Sequence, residues 1–348
     1  MNSMGRRIIR NAACLGVGLL VTQLFPDEFG RGRQLRGKVV VITGASRGLG
    51  LAMAEQFARC GARLVLLARD RFELDRAQRK LLESGMSESD LLIIPADLRN
   101  RDEAESAMAQ ATAHFGRVDV LVNNAGIMTV GPVENQTVEQ FRDAMDANFF
   151  SGVYCTLAVL PQMLQRRDGA IANITSIGGK VAVPHLLPYT ASKYAAVGFS
   201  DGLFAELKSK GVRVTTVIPG LMRTGSHRNA QFTGDAEREY RWFSLAASMP
   251  GVSIAASRAA RQIVNGIADG AAEVTITPQA KLISRFGNVA PGVTRMAMRG
   301  MDSLLPEAQT GNPDMRRGEE VKKRELFPLT AFGSRAARRY NQSERIAS

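Results

Sequence analysis

VVVITGASRGLG, from Val39 to Gly50, joins an apolar run to a glycine-rich turn that leads straight into a helical pattern. Val39 to Ile42 is β-branched and shows no polar alternation, the signature of a strand buried on both faces. In Thr43-Gly44-Ala45-Ser46-Arg47-Gly48-Leu49-Gly50 the glycines permit a tight bend, close backbone approach to a pyrophosphate and close helix packing. The helix N-terminus beyond supplies oriented N–H groups and a favourable dipole for an anion. The spacing is G-x-x-x-G-x-G, not G-x-G-x-x-G, so the turn alone is a moderate signal and a purely structural turn would look similar. A strand before it and a helix after it raise the reading to a dinucleotide cradle contacted by Gly44, Ser46, Arg47, Gly48, Leu49 and Gly50.

Outward from this stretch the same alternation repeats. Short apolar runs at 64–67, 91–94, 118–122, 170–174, 212–218 and 274–276 are separated by helical patterns at 49–59, 71–83, 102–115, 138–165, 192–209 and 257–269. Repeated β-α-β order predicts an α/β fold: a doubly wound, mostly parallel sheet of about seven strands with helices on both faces. In such a sheet ligands bind at the carboxyl ends of the strands, so the residues just after each strand carry the chemistry. Ala68-Arg69-Asp70 ends the second strand. An acid there suits the ribose 2′-hydroxyl of NAD, whereas Arg69, with Arg47 beside it, suits the 2′-phosphate of NADP(H), although Asp70 one position on leaves the choice open. Asp97 and Leu98 follow the third strand and are placed at the adenine edge. Asn124, Ala125 and Gly126 follow the fourth and would line the cofactor slot, with a plain strand-end turn as the alternative for either motif.

The strongest signal is Tyr189-Thr190-Ala191-Ser192-Lys193. Positions four apart share a helix face, so the Lys193 ammonium can reach the Tyr189 hydroxyl. A tyrosine with an ordinary pKa of about 10 is a poor proton shuttle near neutrality, and a neighbouring cation favours its phenolate. Ser176, 13 positions earlier at the end of the fifth strand, would face the same carbonyl.

These residues resemble the classical short-chain dehydrogenase/reductase family, over Gly37 to about Ile276: TGASRGLG at 43–50, NNAG at 123–126, Asn148, Ser176, YTASK at 189–193, and Pro219-Gly220 with Thr224. The resemblance implies a Rossmann-like fold in which Tyr189 is the general acid/base and Lys193 binds the nicotinamide ribose and lowers the tyrosine pKa. Ser176 would orient the carbonyl, Asn148 support a proton relay, and Pro219, Gly220 and Thr224 close over the nicotinamide. It also implies NADP(H) in preference to NAD(H), a small-molecule carbonyl or alcohol substrate, and a homodimer or homotetramer built on the helices that carry Asn148 and Tyr189. His185 to Leu187 and the segment 222–249, with Arg223, His227, Arg228, Phe232, Tyr240, Trp242 and Phe243, would set specificity, either as a mobile lid over a large apolar ligand or as an insertion with its own aromatic core.

The 348 residues carry a formal net charge of +12, unevenly spread. Seven basic groups face two acidic ones in residues 1–38 and thirteen face seven in 281–348, leaving twenty-five against twenty-four between. A nearly neutral body argues against nucleic-acid binding. Cys14, Cys60 and Cys155 are scattered, as are His114, His185 and His227, so neither a disulfide framework nor a metal site is proposed. The chain divides into a basic and apolar extension at 1–36, the main domain at 37–278, an amphipathic helical extension at 279–310 and a basic tail at 311–348 with little core of its own. Arg6, Arg7 and Arg10 precede an apolar run, Ala12 to Phe25, shorter than the roughly 20 residues of a membrane span. It reads as a shallow anchor or a leader helix. Two basic amphipathic helices over 281–305, broken by Pro291-Gly292, fit an acidic membrane surface or a cover for the neighbouring site, and equally a plain packed accessory helix pair. A cytoplasmic protein, peripherally membrane-associated through its extensions, is the resulting expectation. A cofactor-binding sensor or scaffold without turnover is the competing function; such proteins typically lose the Tyr or the Lys, and both are present.

Overall fold

The computed structural model describes residues 34–249, 253–311, 314–321 and 331–342; the N-terminal run at 12–25 and the basic cluster Lys322-Lys323-Arg324 lie outside them. In chain order the principal elements are β1 (Val39–Thr43), α1 (Gly48–Arg59), β2 (Arg63–Ala68), α2 (Arg71–Glu83), β3 (Leu91–Pro95), α3 (Arg101–Phe115), β4 (Val120–Asn123), α4 (Val138–Met145) and α5 (Ser151–Arg166). There follow β5 (Gly169–Ile174), α6 (Leu187–Leu207), β6 (Val212–Pro219), α7 (Ala236–Ser248), α8 (Ala256–Ala268), β7 (Glu273–Ile276), α9 (Pro278–Val289), α10 (Pro291–Asp302) and α11 (Ala331–Arg339).

The seven strands form one parallel sheet in the order β7-β6-β5-β4-β1-β2-β3. All five residues of β1 are buried, which is why that run is apolar without alternation. Alternate side chains along it enter two different cores. Val40 and Ile42 join Phe57, Leu74 and Ile263 of α1, α2 and α8 on one face; Val39 and Val41 join Met108, Val159 and Leu207 of α3, α5 and α6 on the other. The strand order reverses direction between β1 and β4, which opens a crevice at their carboxyl ends.

Helix ends follow local chemistry. Asp70 caps α2 by accepting from the Glu73 N–H at 3.0 Å, and Thr137 and Gln140 form a reciprocal capping box at the start of α4. Between α4 and α5 the helix continues through a π-helical turn, Asp146–Phe150. The whole run Val138–Arg166 has the length and mean hydropathy of a membrane span, but Cys155, Val159 and Met163 pack it against the sheet as a core helix.

α9 and α10 match the two amphipathic helices expected from the sequence, and the break falls at Pro291, the first residue of α10. The expectation of a tail with little core does not describe α11. Ala337 and Tyr340 are buried, at 0% and 3% exposure, and Ala336 packs on the α1/α8 core. Two small residues explain the docking. Gly225 has φ +81°, and a Cβ there would lie 2.5 Å from the Ala337 Cα, so the helix comes down on bare backbone. Residues 316–317 likewise pair antiparallel with 231–232.

Gly50 supports this architecture directly, since a Cβ on it would sit 2.2 Å from the Gly44 carbonyl oxygen. Gly50→Ala is expected to cost about 1–3 kcal/mol, read as a lower urea midpoint. Gly198→Ala, in α6 with nothing within 4 Å of the added carbon, is expected to leave stability unchanged or raise it by less than about 1 kcal/mol.

Candidate active site

The crevice between β1 and β4 is the mouth of a cleft of about 1650 Å³, lined by the glycine turn, the ends of β2 to β6, α7, α9 and α10. Its floor is braced before any ligand arrives. The Thr43 Oγ1 accepts from the Asn124 and Ala125 N–H groups at 2.8 and 2.9 Å, and the Asn124 amide donates to the carbonyls of Thr43 and Gly44 at 2.9 and 3.2 Å. Gly44, at φ +64°, would place a Cβ 2.9 Å from the Ala125 Cα. The glycines hold the turn against the NNAG segment. A glycine turn at a helix N-terminus in a cleft of this size fits a dinucleotide. The Asn124 amide is taken up by the turn rather than presented to the slot, while Ala125 and Gly126 line it.

Charges near the β2 end are distributed in ways the sequence does not reveal. Arg47 Nη1 is bonded to Glu73 Oε1 at 2.8 Å and to Asn229 Oδ1 at 3.0 Å, and Ser46 Oγ donates to the other oxygen of Glu73 at 2.8 Å. Glu73 thus holds both turn residues, and no sequence motif announces it. Asp70 is committed to its helix cap. Arg69, Arg76, Arg79 and Arg99 line the same end of the cleft, the last three unforeseen because they are spaced along α2 and beyond β3 without a motif. Asp97 is grasped by Arg99, with guanidinium-carboxylate contacts of 2.6 to 3.1 Å, and that hydrogen bonding holds its carboxyl below the usual range. Its oxygens face a guanidinium before they could face an adenine.

At the other end, Tyr189, Lys193, Ser176 and Asn148 come together from α6, the end of β5 and the π-helical turn. Lys193 Nζ donates to the Ile174 carbonyl at 3.0 Å and stands 5.7 Å from the Tyr189 ring centre. Asn148 Oδ1 accepts from the Ile127 N–H at 2.7 Å, and its amide donates to Ser192 Oγ at 2.9 Å; Ser192 in turn donates to the Tyr189 carbonyl at 2.8 Å. The π turn and Gly126 together make room for this: a Cβ on Gly126 would fall 2.5 Å from Asn148 Oδ1. Beneath the site, Asn123 bonds Thr156 and Asn173 at 2.9 Å, and Asn173 bonds Ser200 at 3.0 Å, tying α5 and α6 to the strand ends.

Burial decides the electrostatics. It pushes the Tyr189 phenol above its ordinary value, opposed only by a hydrogen bond with Ser176, and it lowers Lys193 to about 8. Desolvation is the larger influence on the phenol, and it also weakens the hold of the ammonium on its own proton.

The remaining wall is apolar. Met222, Trp242, Phe243, Ile283, Met298 and Met301 line it, so α9 and α10 supply part of the cleft, which the helical spacing alone did not tell. Phe232, Tyr240 and Phe243 form a separate small core with Leu186 and Val321. Glu239, fully buried, holds His185 Nδ1 at 2.7 Å and accepts from Trp242 Nε1 at 2.6 Å, fixing α7 over the site. Among the described residues no cluster of His, Cys, Asp and Glu could hold a metal.

Residues 38–233 match the family model described as short chain dehydrogenase. The mouse dehydrogenase/reductase SDR family member 7B is 37% identical over 226 residues, 65% of this chain and 69% of that protein. An Anopheles gambiae dehydrogenase/reductase SDR family protein 7-like is 38% identical over 200 residues, 57% of this chain; the match spans 63% of that relative's length. Among solved structures, a variant of actinorhodin polyketide ketoreductase with NADPH aligns over 70% of this chain and 97% of its own, with a TM-score of 0.61 and 30% identity.

The buried lysine carries a pH signature. Above pH 8 the folded chain sheds the Lys193 proton, while an unfolded lysine keeps it to about 10.5, so the unfolded state binds more protons in that window and folding gains stability as pH rises. Urea unfolding from pH 8 to 10 is expected to show the wild type gaining about 1 kcal/mol per pH unit relative to Lys193→Met. Parallel curves for the two proteins would contradict it.

Proposed function

Because the chain belongs to the short-chain dehydrogenase/reductase family, oxidoreductases acting on alcohol and carbonyl groups, we propose that it is an NADPH-dependent reductase of an apolar, lipid-like ketone or aldehyde. The observation that carries this reading is the convergence of Tyr189, Lys193, Ser176 and Asn148 at the mouth of an apolar cleft whose opposite end is rich in arginine. In the proposal residues 37–278 form the catalytic domain, and 279–310 cover its substrate end.

Bound NADPH supplies the hydride. Ser176 Oγ orients the substrate carbonyl toward the Tyr189 hydroxyl. Tyr189 would give its proton to the carbonyl oxygen as the carbonyl carbon is reduced, leaving the alcohol and a tyrosinate. Lys193 stabilises the tyrosinate and positions the ribose, and the Asn148 side of the site returns the proton. Burial holds the proton on Tyr189 more firmly in the cofactor-free protein.

The preference for NADPH rests on Arg69 with Arg76 and Arg79 lining the ribose end, and on Asp70 being used as a helix cap. Arg47 takes part through the Glu73 pair that fixes its position. The proposed membrane contact rests on the outward faces of α9 and α10, where Leu282, Val289, Val293 and Met296 are exposed beside Lys281, Arg285, Arg295 and Arg299. An apolar substrate dissolved in that surface would meet the cleft through Ile283, Met298 and Met301. Exposed Phe150, Leu157 and Tyr194 on the α5/α6 surface support a dimer or tetramer through those helices.

Tyr189→Phe is expected to lower turnover by about 10²- to 10⁴-fold while NADPH still binds; an active variant would overturn the mechanism. Arg69→Ala combined with Arg47→Ala is expected to lower kcat/KM for NADPH about tenfold or more with little change for NADH, in assays on ketones of graded chain length. Equal losses with both cofactors would remove the case for NADPH.

A further inference from the structure

The C-terminal end of the described chain comes to rest on the glycine turn. The Gly48 N–H donates to the Tyr340 carbonyl at 2.8 Å, and the Asn341 amide donates to the Ser46 carbonyl at 3.1 Å. Across the crevice, Asn229 donates to the Gln342 backbone carbonyl at 3.3 Å and to its side-chain oxygen. Asn229 is also the residue that holds Arg47. The segment therefore spans from the glycine turn to the loop after β6.

Its fit is built into both partners. Gly48 is at φ +58°, which favours glycine, and its bare Cα leaves room for the Gln342 amide, which a Cβ there would approach to 2.4 Å. The anchor is Tyr340, 3% exposed in the α1/α8 core, with Lys80 Nζ 5.2 Å from its ring centre and bonded to the Arg339 carbonyl. Gln342 is itself only 6% exposed.

Such a segment could plug the cleft or wall it. The volume decides. With the segment docked, the cleft still measures about 1650 Å³, with Asn341 and Gln342 in its lining. That volume runs from the arginine-rich end to the apolar end and exceeds the roughly 300–1,000 Å³ of ordinary ligand pockets, so the docked segment leaves most of the cleft open. The Asn341 amide is spent on the Ser46 carbonyl and the Gly48 N–H on the Tyr340 carbonyl, so the neutral donor that the wall sets beside the start of α1 for an anionic phosphate is the Gln342 amide nitrogen.

We propose that Asn341 and Gln342 are cofactor-site residues, and that the segment 340–342 forms an outer wall of the dinucleotide cleft that holds the cofactor in and slows its release. The proposal rests on the reading of this cleft as the NADP(H) site. It assigns to the C-terminal chain a role in binding the diphosphate portion, distinct from the chemistry at Tyr189. The segment must loosen for the cofactor to exchange, so dissociation is the step it governs.

The test uses the full-length chain with NADPH and NADH as probes, reading affinity by fluorescence titration and release by stopped-flow chase with excess oxidised cofactor. Asn341→Ala combined with Gln342→Ala is expected to weaken NADPH binding about tenfold, mainly through faster dissociation, with the melting midpoint of the nucleotide-free protein unchanged. Gln342→Glu keeps the acceptor for Asn229 but sets a carboxylate beside the phosphates. It is expected to weaken binding more steeply, and the extra loss should shrink at high salt. A merely structural segment would leave binding insensitive to that added charge. Variants that bind and release NADPH like the wild type, or more tightly, would overturn the proposal, the second result marking the segment as a competitor. A wild type that binds neither cofactor would overturn the reading of the cleft itself, and the proposal with it, an outcome visible before any variant is made.

Discussion

A lysine ammonium buried at the carboxyl end of a parallel sheet constrains much of what surrounds it. Lys193 is 5% exposed, and its one recorded hydrogen bond goes to the carbonyl of Ile174, the last residue of β5. A buried cation needs such an acceptor, and the acceptor exists only if α6 crosses the strand end at one height and rotation. That placement puts Tyr189 one turn earlier over the same opening, and brings Ser192 to the amide of Asn148. The π-helical turn follows from the same demand, since it swings Asn148 inward while α4 and α5 remain one continuous run. Beneath, the chain of Asn123, Asn173, Ser200 and Thr216 fixes the helices to the strands, so the site rests on rigid elements.

The two ends of the cleft differ in chemistry, and the difference orders the function. One end is arginine-rich, with carboxylates already paired or used as caps. The other is apolar, closed by α7 and by the helices beyond β7. Burial also moves two titrating groups of α6, raising the phenol and lowering the ammonium.

The C-terminal region turns the basic composition into architecture. Among the described residues, Lys281, Arg285, Arg295 and Arg299 sit on the helices that line the apolar end of the cleft, and Arg338 and Arg339 sit just before the segment that returns to the glycine turn. Exposed apolar residues on α9 and α10 stand among those charges, whereas Ala337 and Tyr340 go into the core. A composition poor in large apolar groups reads as a tail, yet docking here needs few of them. Gly225 and Gly48 let backbone approach backbone, and a single tyrosine anchors the end.

Sequence alone determined the sheet, its parallel order and the four residues, Tyr189, Lys193, Ser176 and Asn148, that meet in the cleft. Those features are local: a buried strand shows in its own run of valines, a glycine turn in its own spacing, and a tyrosine-lysine pair in one helical turn. Tertiary structure alone decided which charges are free and which are spent. Glu73 holding Arg47, Arg99 grasping Asp97, and Asp70 capping its helix each join groups whose pairing no spacing encodes, because side-chain reach is settled only after the backbone is placed. The pKa of Tyr189 is of the same kind: the lysine four residues on is written in the sequence, but the burial that pushes the phenol up is a property of the packed molecule. So is the meeting of Gln342 with Gly48, nearly three hundred positions apart in the chain and brought together only by folding.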